Sequence, residues 1–335
     1  MAISVILKIL LTTLGIFALA FISVYLILYF LFYKKTFLRF EKPKTIKFEG
    51  GNLAQFNDEF EKGATWFLSQ NPVKVQIKAD DGINLVADFL PAGQTDYSNQ
   101  EEAFEQAKKA NASIILCHGF SGYGIRDFST IFEPYHEMGF NILVINERAH
   151  CESGGKTITF GFKERYDLRN WIYFLNSKLG DSVPVLLDGV SMGAATVLMC
   201  LGLELPQNVK CAIADCGYTR PYDIMKKVFC QTSHLPEHPI MDIANLLIKI
   251  NAHFWAKKVS ATQAMKTNKV PVFFAHGKSD DFVPYEMTLE NYNACLAPKH
   301  LLLVENADHC MCILLARERY IKELKEFFAE QKISC

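Results

Sequence analysis

The chain has 335 residues, and its 35 Lys and Arg against 36 Asp and Glu give a formal net charge of -1. This balance argues against a nucleic-acid binder, which normally carries a basic excess. Half of the residues are hydrophobic, which excludes a disordered, collagenous or coiled-coil chain. We expect one apolar segment attached to one large globular domain.

The apolar segment comes first. From Ile9 to Tyr33, 25 consecutive residues carry no charge, and at about 1.5 Å per residue such a helix exceeds the ~30 Å hydrocarbon thickness of a bilayer. We therefore predict a membrane anchor with its basic flank in residues 1–40. A cleavable signal peptide is the alternative, because Lys8 and Ala18-Leu19-Ala20 resemble its charged start and its cleavage site. The apolar run that continues from Phe21 to Phe32 favours the uncleaved anchor.

Charges on the two sides of this segment predict its orientation. Only Lys8 precedes the uncharged run. Six basic residues follow it: Lys34, Lys35, Arg39, Lys42, Lys44 and Lys47. The positive-inside rule then places the globular domain in the cytoplasm.

The elements that follow alternate between strand and helix. Residues 41–72 are a polar and aromatic connector with a predicted helix at Phe56–Leu68, and Val73–Lys78 and Ile83–Leu90 flank Asp80-Asp81-Gly82, which is typical of a hairpin. Six apolar runs typical of buried strands come next: Ser113–Cys117, Asn141–Ile145, Val183–Leu187, Val209–Ala214, Val270–Ala275 and His300–Val304. Helical stretches separate them: Phe128–Met138, Lys163–Lys178, Ala194–Leu203, Pro284–Ala294 and Arg317–Gln331. This order predicts an α/β fold with a mostly parallel sheet covered on both faces.

One interval interrupts the alternation. Between Cys216 and Val270 there is no strand pattern, but helix-like runs occur at Tyr222–Phe229 and Ile240–Lys257. We predict a helical cap at about 217–268, because long irregular loops are uncommon in compact domains. Its apolar residues offer a lining for an acyl pocket, although their spacing favours packing onto the core: Phe229, Leu235, Ile240, Leu246, Leu247, Ile250 and Phe254.

A nucleophile motif lies between the fifth strand and the next helix. Gly189-Val190-Ser191-Met192-Gly193 has the form G-x-S-x-G, whose glycines permit a turn so tight that the serine oxygen projects above the sheet. In a strand–turn–helix context this motif is specific. Capping of the helix by Ser191 is the structural alternative.

A serine hydroxyl also needs a base and an acid. The base removes its proton, and the acid fixes the tautomer of the base. The loop after the seventh strand offers two neighbouring carboxylates, Asp280 and Asp281, and the loop after the last strand offers His309. The resulting chain order, Ser191, Asp280 and His309, is that of one fold in particular.

These motifs resemble the α/β-hydrolase superfamily over roughly residues 73–331. The pattern is most similar to a bacterial branch with serine aminopeptidases, prolyl-oligopeptidase-type catalytic domains and membrane-anchored hydrolases. Five pieces carry the resemblance: His118-Gly119-Phe120-Ser121-Gly122; Arg148-Ala149-His150 with Ser153-Gly154; Gly189–Gly193; His276-Gly277 with Asp280 and Val283-Pro284; and Ala307-Asp308-His309. The loop at 146–151 departs from the family, which more often has an aspartate at its start and a glycine on each side of the histidine.

The resemblance implies an eight-stranded α/β-hydrolase domain at 73–335 with the cap inserted after the sixth strand. It places the acid at Asp280, with Asp281 and Asp215 as alternatives, and the base at His309. It assigns the oxyanion to the backbone N–H groups of Phe120 and Met192. The remaining histidines on strand-end loops are interpreted as structural: His118, His150 and His276.

We expect a membrane-tethered serine hydrolase that cleaves a carboxylic ester through an acyl-enzyme, on a small-molecule or lipid-like acyl substrate. An aminopeptidase is one alternative, since Asp223, Glu237 or Asp242 offers a partner for a substrate ammonium. A catalytically idle interaction module is the other. We expect no cofactor, no nucleic-acid partner and no metal, because the cysteines beside His309 match no zinc spacing. The sequence leaves the oligomeric state open.

Overall fold

A computed structural model of the chain describes residues 2–43, 45–93 and 96–335. Met1, Lys44, Gln94 and Thr95 lie outside the described residues. So do the side chains of Ala2, Ile3, Leu31, Phe32 and Lys35. Two members of the predicted basic flank, Lys44 and the Lys35 side chain, are therefore not described.

Eight strands form one sheet, in the spatial order β1-β2-β4-β3-β5-β6-β7-β8. Their bounds are β1 (Val73–Lys78), β2 (Asn84–Leu90), β3 (Ala112–Cys117), β4 (Phe140–Ile145), β5 (Val185–Val190), β6 (Val209–Asp215), β7 (Val272–Gly277) and β8 (Lys299–Val304). β2 pairs antiparallel with β1 and with β4, and the pairs from β4 to β8 are parallel. The predicted eight-stranded, mostly parallel α/β sheet is confirmed.

Helices connect the strands. They are α1 (Ala2–Leu28), α2 (Lys34–Phe37), α3 (Asn57–Ser69), α4 (Gln100–Ala107), α5 (Gly124–Asp127), α6 (Phe132–Glu137), α7 (Glu164–Leu179), α8 (Met192–Cys200), α9 (Pro221–Thr232), α10 (Glu237–Ala252), α11 (Ala261–Met265), α12 (Tyr285–Ala294), α13 (Cys312–Leu315) and α14 (Arg317–Glu330). A π-helical turn (Tyr29–Tyr33) and two 3₁₀ turns (Asn52–Phe56 and Ala256–Lys258) complete the set. The apolar pattern of the sequence does not predict α4, because its turns are polar and bury only Ala103, Phe104 and Ala107.

The core lies on both faces of the sheet. Alternate residues of β3 point to opposite sides, so that Ile115 belongs to one buried cluster and Ile114 to the other. The first cluster includes buried residues of α4, α7 and α8, and the second includes those of α3, α6 and α14. Because the parallel strands end at one edge, the loops after β3, β5, β7 and β8 meet there.

The N-terminal helix projects from this body. Its segment Ser4–Leu28 is long and apolar enough to cross a bilayer and is not buried in the protein, which agrees with either an anchor or a signal sequence. The chain then joins the body: Ile158 N–H donates to Phe37 O (2.7 Å), and Phe40 N–H donates to Ala149 O (2.8 Å).

The interval of the predicted cap contains α9, α10, a 3₁₀ turn and α11. α10 ends at Ala252, earlier than the predicted Lys257, because His253 adopts a left-handed conformation with φ of 66°. The domain boundaries and the role of this interval as a cap stay predictions.

Candidate active site

Ser191 occupies the tight turn between β5 and α8. Its φ of 56° and ψ of -114° are sparsely populated for a residue with a side chain, which costs on the order of 1–3 kcal/mol. The flanking glycines make the turn possible. A Cβ on Gly189 would lie 2.3 Å from Gly193 O, and a Cβ on Gly193 would lie 1.8 Å from Cys117 O. Only glycine fits at either position.

A continuous hydrogen-bonded chain links three of the predicted residues. The Oγ of Ser191 lies 2.9 Å from Nε2 of His309, and Nδ1 of His309 lies 2.6 Å from Oδ2 of Asp280. Residues separated by 118 positions are thus in direct contact. With Nδ1 protonated and donating to the carboxylate, Nε2 is free to accept the Ser191 proton.

The Asp280 carboxylate is fully covered by protein. Its Oδ1 accepts hydrogen bonds from the backbone N–H groups of Phe282 (3.0 Å) and Val283 (2.8 Å). Its Oδ2 also lies 3.1 Å from Nε2 of His276. Burial favours the neutral acid, but the bonds from His276 and His309 outweigh it and lower the pKa of Asp280 to about 2.

The pKa of His309 shifts in the opposite direction to that of Asp280. Burial disfavours the imidazolium, whereas Cys216 and the Asp280 carboxylate favour it, and the net result raises the pKa of His309 above its ordinary value. Because an imidazole must be neutral to accept a proton, His309 can act as a base only at pH values above this raised pKa.

The alternative acids lie elsewhere. Asp281 is exposed, and its backbone carbonyl accepts a hydrogen bond from Gln231. Asp215 is buried at the end of β6, and its backbone carbonyl accepts the Ser191 N–H (2.8 Å). The carboxylate that reaches the His309 ring is that of Asp280.

Two other histidines hold loops. His118 lies 2.8 Å from Gly119 O through Nδ1 and accepts the Glu147 N–H at Nε2 (3.1 Å). Burial lowers the pKa of His118 to about 4, so its ring is neutral at pH 7. His150 lies 3.0 Å from the Arg148 carbonyl through Nδ1.

The loop after β3 runs beside Ser191. A Cβ on Gly119 would lie 3.5 Å from Cβ of Ser191, and Asp127 fixes this turn by accepting the Gly119 N–H (3.2 Å). The next residue, Phe120, lines the same pocket as Ser191. Met192 begins α8, where the first N–H groups have no partner within the helix.

Comparisons with known proteins agree with this architecture. A family model for the alpha/beta hydrolase fold matches residues 112–246. Protein YqkD of Bacillus subtilis (strain 168), itself uncharacterised, is 30% identical over 215 residues, which cover 64% of this chain and 70% of YqkD. The chain belongs to the α/β-hydrolase superfamily.

Solved structures share the hydrolase fold. The Pyrococcus furiosus esterase Pf2001 superposes with a TM-score of 0.62 at 19% identity, over 87% of this chain and 98% of that chain. The Butyrivibrio proteoclasticus protein Est1E, solved with ferulic acid, gives 0.58 at 21% identity, over 77% and 98%. A Pyrococcus horikoshii acylaminoacyl peptidase gives 0.55 at 16% identity, over 78% and 42%. Esterases and a peptidase therefore share the fold of this hydrolase.

Two pockets of the hydrolase meet at Ser191. The first has a volume of about 250 Å³. Aliphatic and aromatic side chains dominate its lining: Phe120, Phe160, Tyr218, Ile224, Met225, Val228, Phe229, Phe282 and Val283, with Thr36 and Thr232. Of the seven apolar residues named for the predicted cap, Phe229 lines this pocket, whereas Leu247 and Phe254 are buried in the core and Leu235 and Ile250 are exposed.

The second pocket has a volume of about 190 Å³ and contains His309 beside Ser191. Connector residues Phe48, Leu53 and Phe60 line one side of it, and Arg126 and Asp127 line another. His309 thus lines this pocket while its ring contacts Ser191.

One cluster near His309 offers metal ligands. Cys216, at the end of β6, lies with its sulfur 3.5 Å from that of Cys310, and ligand atoms of both and of His309 lie within 4.8 Å of one another. Both ring nitrogens of His309 already contact Ser191 or Asp280, so a cation bound here would compete with them. Spacing along the sequence does not predict this cluster, because Cys216 follows β6 and lies 94 positions from Cys310.

Proposed function

We propose that this chain is a membrane-tethered serine esterase. Ser191 Oγ attacks the ester carbonyl carbon while His309 Nε2 takes its proton. The tetrahedral intermediate then expels the alcohol, which receives that proton from His309, and leaves an acyl group on Ser191. Water, deprotonated by His309, releases the acid and restores the serine.

The hydrogen-bonded chain from Ser191 through His309 to Asp280 is the observation that carries this proposal. A serine that only capped a helix would need neither a neighbouring imidazole nor a buried carboxylate behind it. Asp280 holds the tautomer in which Nε2 accepts a proton, and it stabilises the imidazolium that forms.

The oxyanion is assigned to the backbone N–H groups of Met192 and Phe120. Met192 supplies an N–H at the start of α8, where the helix dipole also favours negative charge. The assignment of Phe120 is supported by its position directly after Gly119, in the loop that runs beside Ser191. Each such donor is worth about 10²–10³ in rate.

Ester is favoured over peptide because the pocket next to Ser191 is apolar and the three candidate partners of a substrate ammonium are already neutralised. Glu237 pairs with Lys226 at 2.9 Å and Asp242 pairs with Lys257 at 2.9 Å. Asp223 accepts the hydroxyl of Thr219 (3.0 Å), with Arg220 at 3.6 Å.

The experiment is labelling of the full chain by a fluorophosphonate, followed by mass spectrometry. The serine oxygen displaces fluoride, so an adduct is expected on Ser191 and is absent in Ser191→Ala. Turnover should fall about 10⁶-fold in that variant. Parallel assays with p-nitrophenyl esters and aminoacyl-naphthylamides decide between ester and peptide. Absence of the adduct in the folded protein would instead favour the idle interaction module.

Topology is tested separately. We propose that the hydrolase body faces the cytoplasm, as its basic flank indicates. Cys230 and Cys335 are exposed, so a membrane-impermeant maleimide should label them only after cells that express the protein are permeabilised. Labelling of intact cells that disappears when both residues are changed to serine would contradict this orientation.

A further inference from the structure

An aromatic ladder connects the predicted membrane span to the candidate active site. Tyr25, Tyr29, Tyr33 and Phe37 are spaced four residues apart and therefore share one helix face. Successive ring centroids along this face lie 6.4, 5.4 and 4.9 Å apart, with the rings stacked within 20°.

The ladder continues into the body. The Phe37 ring lies 5.1 Å from that of Phe160, which stacks at 5.2 Å on that of Phe120, the residue assigned to the oxyanion hole. Tyr33 and Phe37 are fully buried. The juxtamembrane rings are therefore part of the packed wall of the site.

Polar contacts fix the same segment at both ends. The side-chain amide of Asn251 on α10 donates to the Tyr25 hydroxyl (3.1 Å). Past the ladder, the Arg39 guanidinium donates to the carbonyls of Ser153 and Cys151. A mere tether would need no such docking at two places.

One juxtamembrane residue reaches the substrate space itself. Thr36 lines the apolar pocket together with Ser191, and it lies eight positions after the end of the bilayer-length segment at Leu28. At about 1.5 Å per residue this places the pocket wall roughly 12 Å beyond the segment's end, just outside a headgroup region that is about 5–7 Å thick on each side of a bilayer. The pocket is thus apolar, adjacent to Ser191 and at the membrane surface.

We propose that the juxtamembrane segment, from Tyr29 to Phe37, forms the acyl-binding pocket jointly with α9. The occupant of this pocket is the acyl chain of an ester that resides in the bilayer. This inference rests on the proposed function. A pocket of about 250 Å³ is smaller than the ~300–1,000 Å³ of sites for drug-sized ligands, so the chain it accepts is short to medium. The second pocket, which contains His309, then receives the departing alcohol.

The test uses the full-length protein in phosphatidylcholine vesicles with a diacylglycerol that carries one octanoyl and one stearoyl chain. The ester is placed in the same vesicles as the protein or in separate ones, and released octanoate is measured. Entry from the bilayer predicts release at least about tenfold faster in the shared vesicles. Equal rates would overturn the inference.

Thr36→Trp tests the pocket wall. A large side chain at this position should lower the ratio of octanoate to acetate release from p-nitrophenyl esters by about tenfold or more, as expected when a pocket loses room for methylenes. Thr12→Trp, on the exposed part of α1, is the matched control and should leave the ratio unchanged. An unchanged ratio in Thr36→Trp would also overturn the inference.

Fluorophosphonate labelling distinguishes failure of the bilayer-entry inference from failure of the proposed esterase function. If Ser191 is labelled but shared and separate vesicles give equal rates, only bilayer entry is wrong. If wild-type Ser191 is not labelled, the proposed esterase is wrong, and this inference falls with it.

Discussion

Replacement of Asp280 by asparagine removes the charge behind His309 and keeps the side-chain size. The carboxylate oxygen lies 2.6 Å from Nδ1 of His309. An asparagine amide in its place can donate to Nδ1, which leaves the ring proton on Nε2, the nitrogen that must accept from Ser191. We expect kcat to fall about 10⁴-fold, the loss that the corresponding change causes in a serine protease.

The pH dependence of the residual activity gives a second, independent readout. In the wild type the raised pKa of His309 places the acid limb of kcat/KM above the ordinary histidine value of about 6.5. An opposite charge in contact typically accounts for about 1–3 pH units. Asp280→Asn should therefore move the midpoint of this limb downward by that amount, because the imidazolium loses its partner.

The assay is hydrolysis of p-nitrophenyl acetate between pH 5 and 9, with circular dichroism to establish that each variant is folded. Asp281→Asn is the matched control, since Asp281 is the next residue in the chain and its side chain is exposed. The rate of this variant should stay within about twofold of the wild-type rate, because surface changes usually have small effects. The reasoning is refuted if a folded Asp280→Asn keeps more than a tenth of the wild-type rate, if the acid limb does not move, or if Asp281→Asn loses as much.

Three further predictions follow from close contacts. Gly193→Ala puts a Cβ 1.8 Å from the Cys117 carbonyl oxygen and should lower the free energy of unfolding, measured by denaturant titration, by about 3 kcal/mol or more. Gly50→Ala is the control: open space surrounds this position, so the free energy of unfolding should change by less than about 0.5 kcal/mol. Equal losses in the two variants would contradict the steric argument. Phe229→Ala enlarges the apolar pocket and should shift the preferred p-nitrophenyl ester toward longer chains; an unchanged profile would remove this residue from the pocket. Micromolar Cd²⁺ should inhibit by taking His309 from Ser191, and Cys216→Ser should relieve the inhibition; equal inhibition in that variant would place the metal elsewhere.

Local sequence pattern was sufficient for most elements. The strand Val73–Lys78 has the predicted bounds, and most other strand ends differ from prediction by one or two residues. Alternating apolar residues indicate a strand buried on one face, and a continuous apolar run indicates a strand buried on both faces. α8 was predicted to begin at Ala194 but begins at Met192, because the strained turn at Ser191 passes into helix without an intervening loop.

The contact of Ser191, Asp280 and His309 was predictable for a related reason. Each residue follows a strand of a parallel sheet, and such strands end at one edge. The sequence therefore indicates where these side chains meet, although it gives no distance. The second histidine on Asp280, His276, was interpreted only as a loop brace, and its contact with the carboxylate depends on how the β7 loop folds back.

The sequence by itself determined the apolar span, the order of strands and helices, and the turn at Ser191, because each depends on neighbouring residues and their periodicity. Only the tertiary structure decided that Thr36 and Phe160 join Ile224 around one pocket, and that Cys216 approaches Cys310. These contacts depend on the path of the chain between elements, where side-chain periodicity carries no information about which distant segment will be the neighbour. The apolar pocket lies in such a place, since segments that are far apart in the chain form its wall.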